Sequence, residues 1–174
     1  MKTNSTLKNI VLTALFAAII AVTTAYILHI PIGINGGYVH VGDCFIYLAA
    51  CFLPLPYAML AGAIGGGLAD YLSAAPLWII PTVIIKSLIA IPFSSKTEKI
   101  LNKRNVLALF IAGAITCVGY YIAEAILFGN WASPFASMLG SVIQATGSGI
   151  LFVVVSAALD KGAVKKRLIT LNQN

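Results

Sequence analysis

Charged side chains are scarce in this chain of 174 residues, where they make up 9% of the sequence and hydrophobic residues make up 60%. Soluble domains carry about 25% charged residues. The shortage argues against an ordinary soluble protein, and the long apolar stretches predict an integral membrane protein instead. The length leaves room for one domain, which we place at residues 1–174.

Motifs for common catalytic and cofactor chemistry are also missing. The sequence has no GxxxxGK(S/T) phosphate-binding loop and no HExxH zinc motif. Its three cysteines lie in apolar segments without CxxC spacing, and its histidines, His29 and His40, are poorly placed for a metal pair. Gly147-Ser-Gly149 has no later histidine with which a membrane serine protease would work. We therefore expect no enzyme activity, no catalytic residue, no bound metal and no cofactor.

Lysine and arginine residues are concentrated in three short clusters that flank the apolar segments. Such residues accumulate on the cytoplasmic side of membrane spans, so both ends and one middle loop are predicted to face the cytoplasm. The net charge of +6 is then explained by membrane topology and by attraction to the lipid bilayer surface, and it does not indicate a nucleic acid partner. The clusters are Lys2 and Lys8; Lys96, Lys99, Lys103 and Arg104; and Lys161, Lys165, Lys166 and Arg167.

Hydropathy divides the chain into apolar segments that we interpret as membrane spans. A span needs about 20 residues, so the second and third segments are marginal. An even number of crossings must separate the N-terminus from the basic middle loop; four crossings satisfy this, and so do two crossings with a re-entrant hairpin at 41–72. We favour four, which predicts an all-α integral membrane protein with six transmembrane helices and cytoplasmic termini. The spans are placed at about 7–28, 41–53, 57–72, 77–93, 106–128 and 135–159.

Polar residues recur at helical spacing within three of these segments. Residues three or four apart share one face of a helix, and polar faces avoid lipid, so the three stripes are expected to face one another. Two interpretations stay open: the stripes hold helices together, with Lys86 and Glu124 in a structural ion pair, or they line a pocket. The stripes are Trp78, Thr82 and Lys86; Thr116, Tyr120 and Glu124; and Ser137, Ser141, Gln144 and Ser148.

Formal charges and aromatic rings gather toward the outer ends of the predicted spans. Asp43, Asp70, Lys86 and Glu124 are costly in lipid and are therefore functional or paired. Single aromatic residues there are typical of the interfacial belt, but with the polar stripes they predict a pocket for a planar, polar, ring-containing solute. Asn35 is a further polar residue at this outer mouth. The predicted substrate-binding residues are Tyr38, His40, Asp43, Trp78, Lys86, Tyr120, Tyr121, Glu124, Asn130, Trp131 and Gln144.

Small residues form two further patterns. In the first span, alanines recur at intervals of four, three and four, and they allow close approach of another helix, either within the subunit or from a partner protein. The pair Gly62 and Gly66 in the third segment favours internal packing. The alanines are Ala14, Ala18, Ala21 and Ala25.

An ordered series of short motifs resembles the S components of energy-coupling factor (ECF) vitamin transporters, and the riboflavin-type family in particular. Ala14-Leu-Phe-Ala-Ala18 is similar to the AxxxA motif of that group, and the likeness extends from about Leu7 to Ala158. The other motifs are Gly37-Tyr-Val-His-Val-Gly-Asp43, Phe45-Ile-Tyr-Leu-Ala-Ala50, the segment 62–70, Pro76-Leu-Trp-Ile-Ile-Pro81, Ile84-Ile-Lys86, Gly119-Tyr-Tyr-Ile-Ala-Glu124 and Gly129-Asn-Trp131.

The resemblance implies a substrate-capture subunit in the plasma membrane of a bacterium. It would bind a vitamin at the outer face beneath a lid at 30–40. Ala14 and Ala18 would contact a transmembrane coupling subunit, which two cytoplasmic ATPase subunits drive, and toppling of the subunit would carry substrate inward. Riboflavin, pyridoxine-like and hydroxymethylpyrimidine-like compounds are the implied substrates, and we favour a single ring. The alternatives are a scaffold membrane protein, such as a cell-shape subunit, and a small stand-alone oligomeric transporter.

Overall fold

The computed structural model describes residues 2–27, 29–31 and 38–170. Helices dominate this part of the chain, and a two-stranded antiparallel ladder pairs Ile30 with Val39 and Pro31 with Tyr38. One 3₁₀ turn, Pro76–Trp78, leads into α4. The elements are α1 Lys2–Tyr26, β1 Ile30–Pro31, β2 Tyr38–Val39, α2 Asp43–Phe52, α3 Leu55–Leu72, α4 Ile79–Leu88, α5 Lys103–Phe128, α6 Pro134–Lys161 and α7 Val164–Thr170.

Three helical segments in the described part are long and apolar enough to cross a bilayer: Ser5–Tyr26, Lys103–Phe128 and Pro134–Lys161. Asp43–Phe52 and Pro76–Leu88 are apolar but shorter. The ten residues of α2 extend about 15 Å, half of a hydrocarbon core of about 30 Å. The described residues are mostly helical with strongly apolar helices, as the predicted class requires, apart from the short β ladder. The six crossings and the cytoplasmic termini stay predictions.

Proline explains where the fourth predicted span departs from the structure. Hydropathy placed it at 77–93, but α4 ends at Leu88, and the chain continues in turns such as Ile91 N–H to Leu88 O at 3.1 Å. Pro92 lacks an N–H, and its ring disfavours helix at the residue before it. Apolar character continues past Leu88 although the helix does not. The short helix α7 was not predicted.

Glycines let α3 lie between α1 and α4 at close range. A Cβ added at Gly65 would lie 2.8 Å from the carbonyl oxygen of Ala17 in α1, and one at Gly62 would lie 2.5 Å from the carbonyl oxygen of Lys86 in α4. Neither position has room for a larger residue without separating the helices. Internal packing, which the sequence favoured for these glycines, is confirmed.

The remaining helices complete a bundle around α2. Helix α5 packs against α4 and α6, and α2 contacts α1, α3 and α6. One turn beyond Asp43, Tyr47 stacks on Phe93 with ring centroids 4.8 Å apart, and Phe152 packs edge-on against Tyr47 at 5.9 Å. This aromatic cluster of Tyr47, Phe93 and Phe152 fills the centre of the bundle.

A buried ion pair joins three of these helices. Lys86 Nζ of α4 lies 2.6 Å from Asp43 Oδ1 of α2, and the two side chains are 2% and 0% exposed. Gln144 Nε2 of α6 donates to the other carboxylate oxygen, Asp43 Oδ2, at 3.0 Å. The sequence interpretation that coupled Lys86 with Glu124 is corrected, because the described partner of the ammonium is Asp43. Charges removed from water need such paired and hydrogen-bonded geometry.

We predict strong, non-additive effects of breaking this pair. Lys86→Met or Asp43→Leu leaves one uncompensated buried charge and should cost about 3–5 kcal/mol of stability, whereas the double variant should cost less than the sum. Thermal unfolding of the purified protein in detergent measures this. Lys166 and Glu98, an exposed pair 3.7 Å apart, provide the control, since Glu98→Gln should change little. Additive losses at positions 43 and 86 would contradict the coupling.

Candidate functional site

The polar stripes converge on one cavity at the end of the bundle where α2 begins. Its volume is about 60 Å³, room for a few waters. Helices α4, α5 and α6 each contribute residues of the predicted stripes, whereas Thr116 and Ser148 are buried outside the lining. The lining residues are Thr24, Tyr38, His40, Asp70, Trp78, Thr82, Lys86, Tyr120, Glu124, Ser137, Ser141 and Gln144.

The ion pair forms the floor of this cavity. Both carboxylate oxygens of Asp43 are hydrogen-bonded, one to Lys86 and the other to Gln144. Asp43 therefore lies below the lining and holds these two lining residues in place. Lys86 Nζ also lies 5.3 Å from the centroid of the Tyr120 ring, a cation–π distance. The floor therefore holds one ammonium whose charge is already matched.

Two further carboxyl groups lie in the cavity wall. Asp70 of α3 accepts the hydroxyl of Tyr38 at 2.5 Å, and Glu124 of α5 accepts the hydroxyl of Ser137 at 3.0 Å. Each of the two acids is 3% exposed. The bond from Tyr38 fixes the β ladder over α3, so the strand that precedes α2 forms part of the wall.

Aromatic rings border the same space. Trp78 and Tyr120 lie with centroids 6.0 Å apart, and Tyr38 stacks on His29 at 4.0 Å. The hydroxyls of Thr82 and Tyr120 are hydrogen-bonded at 3.1 Å. Flat rings beside a few hydrogen-bonding groups are typical of pockets for small cyclic solutes.

His40, in the segment before α2, is a neutral member of the lining. Its Nδ1 accepts the backbone N–H of Gly42 at 3.0 Å, which assigns the proton to Nε2. Burial lowers the pKa of His40 to about 3, because desolvation disfavours the charged ring. At physiological pH this imidazole thus offers a hydrogen bond and carries no positive charge.

The structure separates the eleven predicted site residues into seven in the lining, Asp43 in the floor below it, and three outside it. The three outside are Tyr121 in α5 and Asn130 and Trp131 in the α5–α6 connection: Tyr121 donates to Trp131 O at 2.8 Å, and Trp131 is 59% exposed. Consecutive residues of a helix point about 100° apart, so Tyr121 does not share the helix face on which Tyr120 lies. Asn35 and residues 32–37 of the predicted lid lie outside the described residues. In the lining are Tyr38, His40, Trp78, Lys86, Tyr120, Glu124 and Gln144.

The set of predicted site residues omitted five residues of the lining: Thr24, Asp70, Thr82, Ser137 and Ser141. The last three belong to the predicted polar stripes. Thr24 and Asp70 are each 3% exposed, and Thr24 Oγ1 and Asp70 Oδ2 have no hydrogen-bond partner among the described residues. Asp70 could have been included because it is a charge within an apolar segment. Nothing in the sequence around Thr24 distinguishes it from other threonines of membrane helices. The described residues contain no group of three or more histidines, cysteines or acids suited to a metal ion.

The alanine pattern of α1 divides between two environments. Ala21 and Ala25 are buried, 4% and 8% exposed, whereas Ala14 and Ala18 are exposed on the outer side of the bundle. The neighbouring Leu15 is 54% exposed. Internal packing therefore accounts for the second pair, and the first pair remains available to a partner or to lipid.

Comparison with known proteins places the chain in a family. Residues 4–161 match the family described as "ECF-type riboflavin transporter, S component", a range that includes every lining residue. One relative, described as an uncharacterized protein in the gap 3' region of Pyrococcus woesei, is 29% identical over 128 residues, which are 74% of this chain and 85% of the relative. The chain belongs to the ECF-type riboflavin transporter S component family, a family of membrane proteins for vitamin transport and not of enzymes.

Proposed function

We propose that this protein is the substrate-capture subunit of an ECF-type importer and that it binds a water-soluble vitamin or precursor in the cavity described above. The polar cavity supports the proposal, since this family member buries Asp70, Lys86 and Glu124 around it and such groups are costly within a membrane. A scaffold subunit would not need such a cavity. Riboflavin, pyridoxine-like and hydroxymethylpyrimidine-like compounds are the candidate substrates.

Charge distribution supports an outward-facing cavity in the plasma membrane. Asp160 near the end of α6 accepts the backbone N–H groups of Ile100 and Leu101 at 2.8 and 2.9 Å. These bonds bring the basic middle loop to the same end of the bundle as the basic cluster that follows α6. The cavity lies at the other end, which the positive-inside rule assigns to the outer face. Six crossings with both termini in the cytoplasm fit this arrangement.

A single-ring substrate would require less widening of this cavity than a large fused one. The volume of about 60 Å³ has room for a few waters, and Trp78, Tyr120 and Tyr38 offer ring faces on its border. Mass spectrometry of molecules that co-purify with the protein would identify the substrate, and uptake of that molecule by cells with the coupling subunits tests the function. Failure of any vitamin to co-purify or be taken up would contradict the proposal.

Variants of the lining should weaken binding without unfolding the protein. Glu124→Gln replaces a carboxyl group by a neutral amide, and Gln144→Ala removes an amide from the cavity. A hydrogen bond involving a charged group is worth about 1.5–3 kcal/mol, roughly a ten- to hundred-and-fifty-fold change in affinity. Calorimetric titration with the co-purified molecule measures the loss.

The control is Trp131→Ala. The sequence assigned Trp131 to the site, but Trp131 is not among the lining residues, so this variant should bind within about threefold of the parent. Thermal unfolding confirms that each variant is folded. If Glu124→Gln and Gln144→Ala bind as tightly as the parent, substrate binds elsewhere.

Assembly should depend on the exposed alanines of α1 and not on the cavity. Ala14→Trp and Ala18→Trp would hold a neighbouring helix away from α1, yet both positions face outward, so the subunit itself need not rearrange. We propose that these variants retain substrate binding and lose co-purification with the transmembrane coupling subunit and its two ATPases, and with it ATP-driven uptake.

Ala114→Trp is the matched control for this experiment, since Ala114 is also exposed but lies on α5. It should assemble and transport normally. Normal uptake by Ala14→Trp and Ala18→Trp would mean that this face of α1 contacts lipid only, and lost binding would mean that it belongs to the core of the subunit.

A further inference from the structure

A second hollow, the α5–α6 groove, lies on the side of the bundle formed by α5 and α6. Its volume is about 550 Å³, and none of the described residues that line the polar cavity also lines this groove. Its walls are mostly apolar, and Phe110 of α5 and Ile150 of α6 are exposed beside it. Neither the polar cavity nor the proposed assembly face of α1 gives this groove a role.

Glycines keep the α5–α6 groove open. A Cβ added at Gly113 would lie 3.5 Å from Ala145 Cβ, and one at Gly149 would lie 4.0 Å from the side chain of Leu109. Both distances are ordinary van der Waals contacts, unlike the 2.5 Å at Gly62 of α3. Helix packing therefore does not require glycine at these two positions, although glycine destabilises a helix interior relative to alanine. The missing side chains leave space between the two helices.

The length of the groove matches one leaflet of a bilayer. On α5 its lining extends from Val106 to Cys117, which is about 16 Å along the helix axis. Half of a hydrocarbon core of about 30 Å is about 15 Å. An acyl chain occupies one leaflet, whereas a transmembrane helix of a partner crosses both, so the groove suits an acyl chain better.

One end of the groove reaches the basic middle loop. There it continues into a surface hollow that shares Val106, Phe110 and Val153 with it and that Lys103 also lines. The positive-inside rule assigns this end of the bundle to the cytoplasm. The cytoplasmic leaflet is the one that carries a negative surface potential from anionic lipids.

Positive charge at this end is not matched by acids. Lys103 and Arg104 are exposed in the first turn of α5, where the helix dipole favours anions and disfavours cations. Neither has an ion-pair partner among the described residues, and Glu98 of the same loop pairs with Lys166 at 3.7 Å. A phosphate group beside Lys103 would offset both the side-chain charges and the dipole.

We propose that the α5–α6 groove binds one anionic phospholipid of the cytoplasmic leaflet, with an acyl chain between Gly113 and Gly149 and the phosphate beside Lys103. Burial of the chain against apolar walls supplies affinity, and the basic end selects a negatively charged headgroup over a zwitterionic one. The site is separate from the polar cavity, so it does not depend on which solute that cavity binds.

Lipid titration of the delipidated full chain, followed by native mass spectrometry, tests the selectivity. The probes are dioleoyl phosphatidylglycerol and dioleoyl phosphatidylcholine, which share their acyl chains and differ in headgroup charge. The first phosphatidylglycerol should bind at least about fivefold more tightly than the first phosphatidylcholine. Equal affinity for the two lipids would indicate unselective surrounding lipid and would overturn the inference.

Two pairs of variants locate the site. Lys103→Gln should weaken phosphatidylglycerol binding about fivefold, whereas Lys96→Gln, which removes an exposed charge of the same loop outside the groove, should leave it nearly unchanged. Gly113→Leu should fill the groove and weaken binding of both lipids, whereas Ala114→Leu, one residue away and outside the lining, should not. Thermal unfolding verifies that each variant is folded. Unchanged binding in Lys103→Gln and in Gly113→Leu would overturn the assigned site.

Photo-crosslinking of the unsubstituted chain separates a lipid from a protein occupant. A phosphatidylglycerol with a diazirine near the end of one acyl chain should label peptides that contain Cys117 or Val142, which line the end of the groove away from Lys103. Labelling spread evenly over the exposed faces of α1, α3 and α4 would contradict the site. A dimer in the native mass spectra that Gly113→Leu dissociates would identify a second copy of the chain as the occupant and overturn the inference.

Discussion

The Lys86–Asp43 ion pair is the interaction on which the rest of the structure depends. Asp43 lies in the first turn of α2 and Lys86 in the last turn of α4, so each charge occupies the helix end whose dipole favours it. With α2 only ten residues long, its position depends on such cross-links. Gln144 ties α6 to the same carboxylate, and the cavity therefore has a floor shared by three helices.

The bundle has a polar half, which contains the cavity above the ion pair, and a closely packed apolar half below it. Glycines of α3 let α1 and α4 pack closely on either side of α3, and the aromatic cluster of Tyr47, Phe93 and Phe152 fills the centre one turn past Asp43. Rings packed at such density leave little space for a solute. A ligand in the cavity would thus reach the cytoplasmic side only through a change in this packing or a movement of the whole subunit.

Helical periodicity predicted much of the site because it fixes which residues share a face. It brought Thr82 and Lys86, Tyr120 and Glu124 to a common space, which the structure contains. Periodicity does not specify the partner across a helix interface, so it left Lys86 with Glu124 instead of Asp43. Hydropathy likewise predicted α4 but not the residue at which it ends. Pro92, which follows the end of the helix, lies in apolar sequence, so hydropathy does not change there. Tyr121 was assigned by its residue type, and its position one step from Tyr120 directs it away.

Helix α1 gives the proposed binding site and the proposed assembly face to different parts of one helix. Thr24 lines the cavity, while Ala14 faces outward ten residues earlier, about 15 Å along the axis. Between them, Ala17 and Ile20 pack against Gly65 of α3. Under the proposed function, the coupling subunit would need only the outward face of α1, which is separate from the lining. Membership in the family therefore describes the class of transport protein, and the residues around the cavity would determine which solute this chain binds.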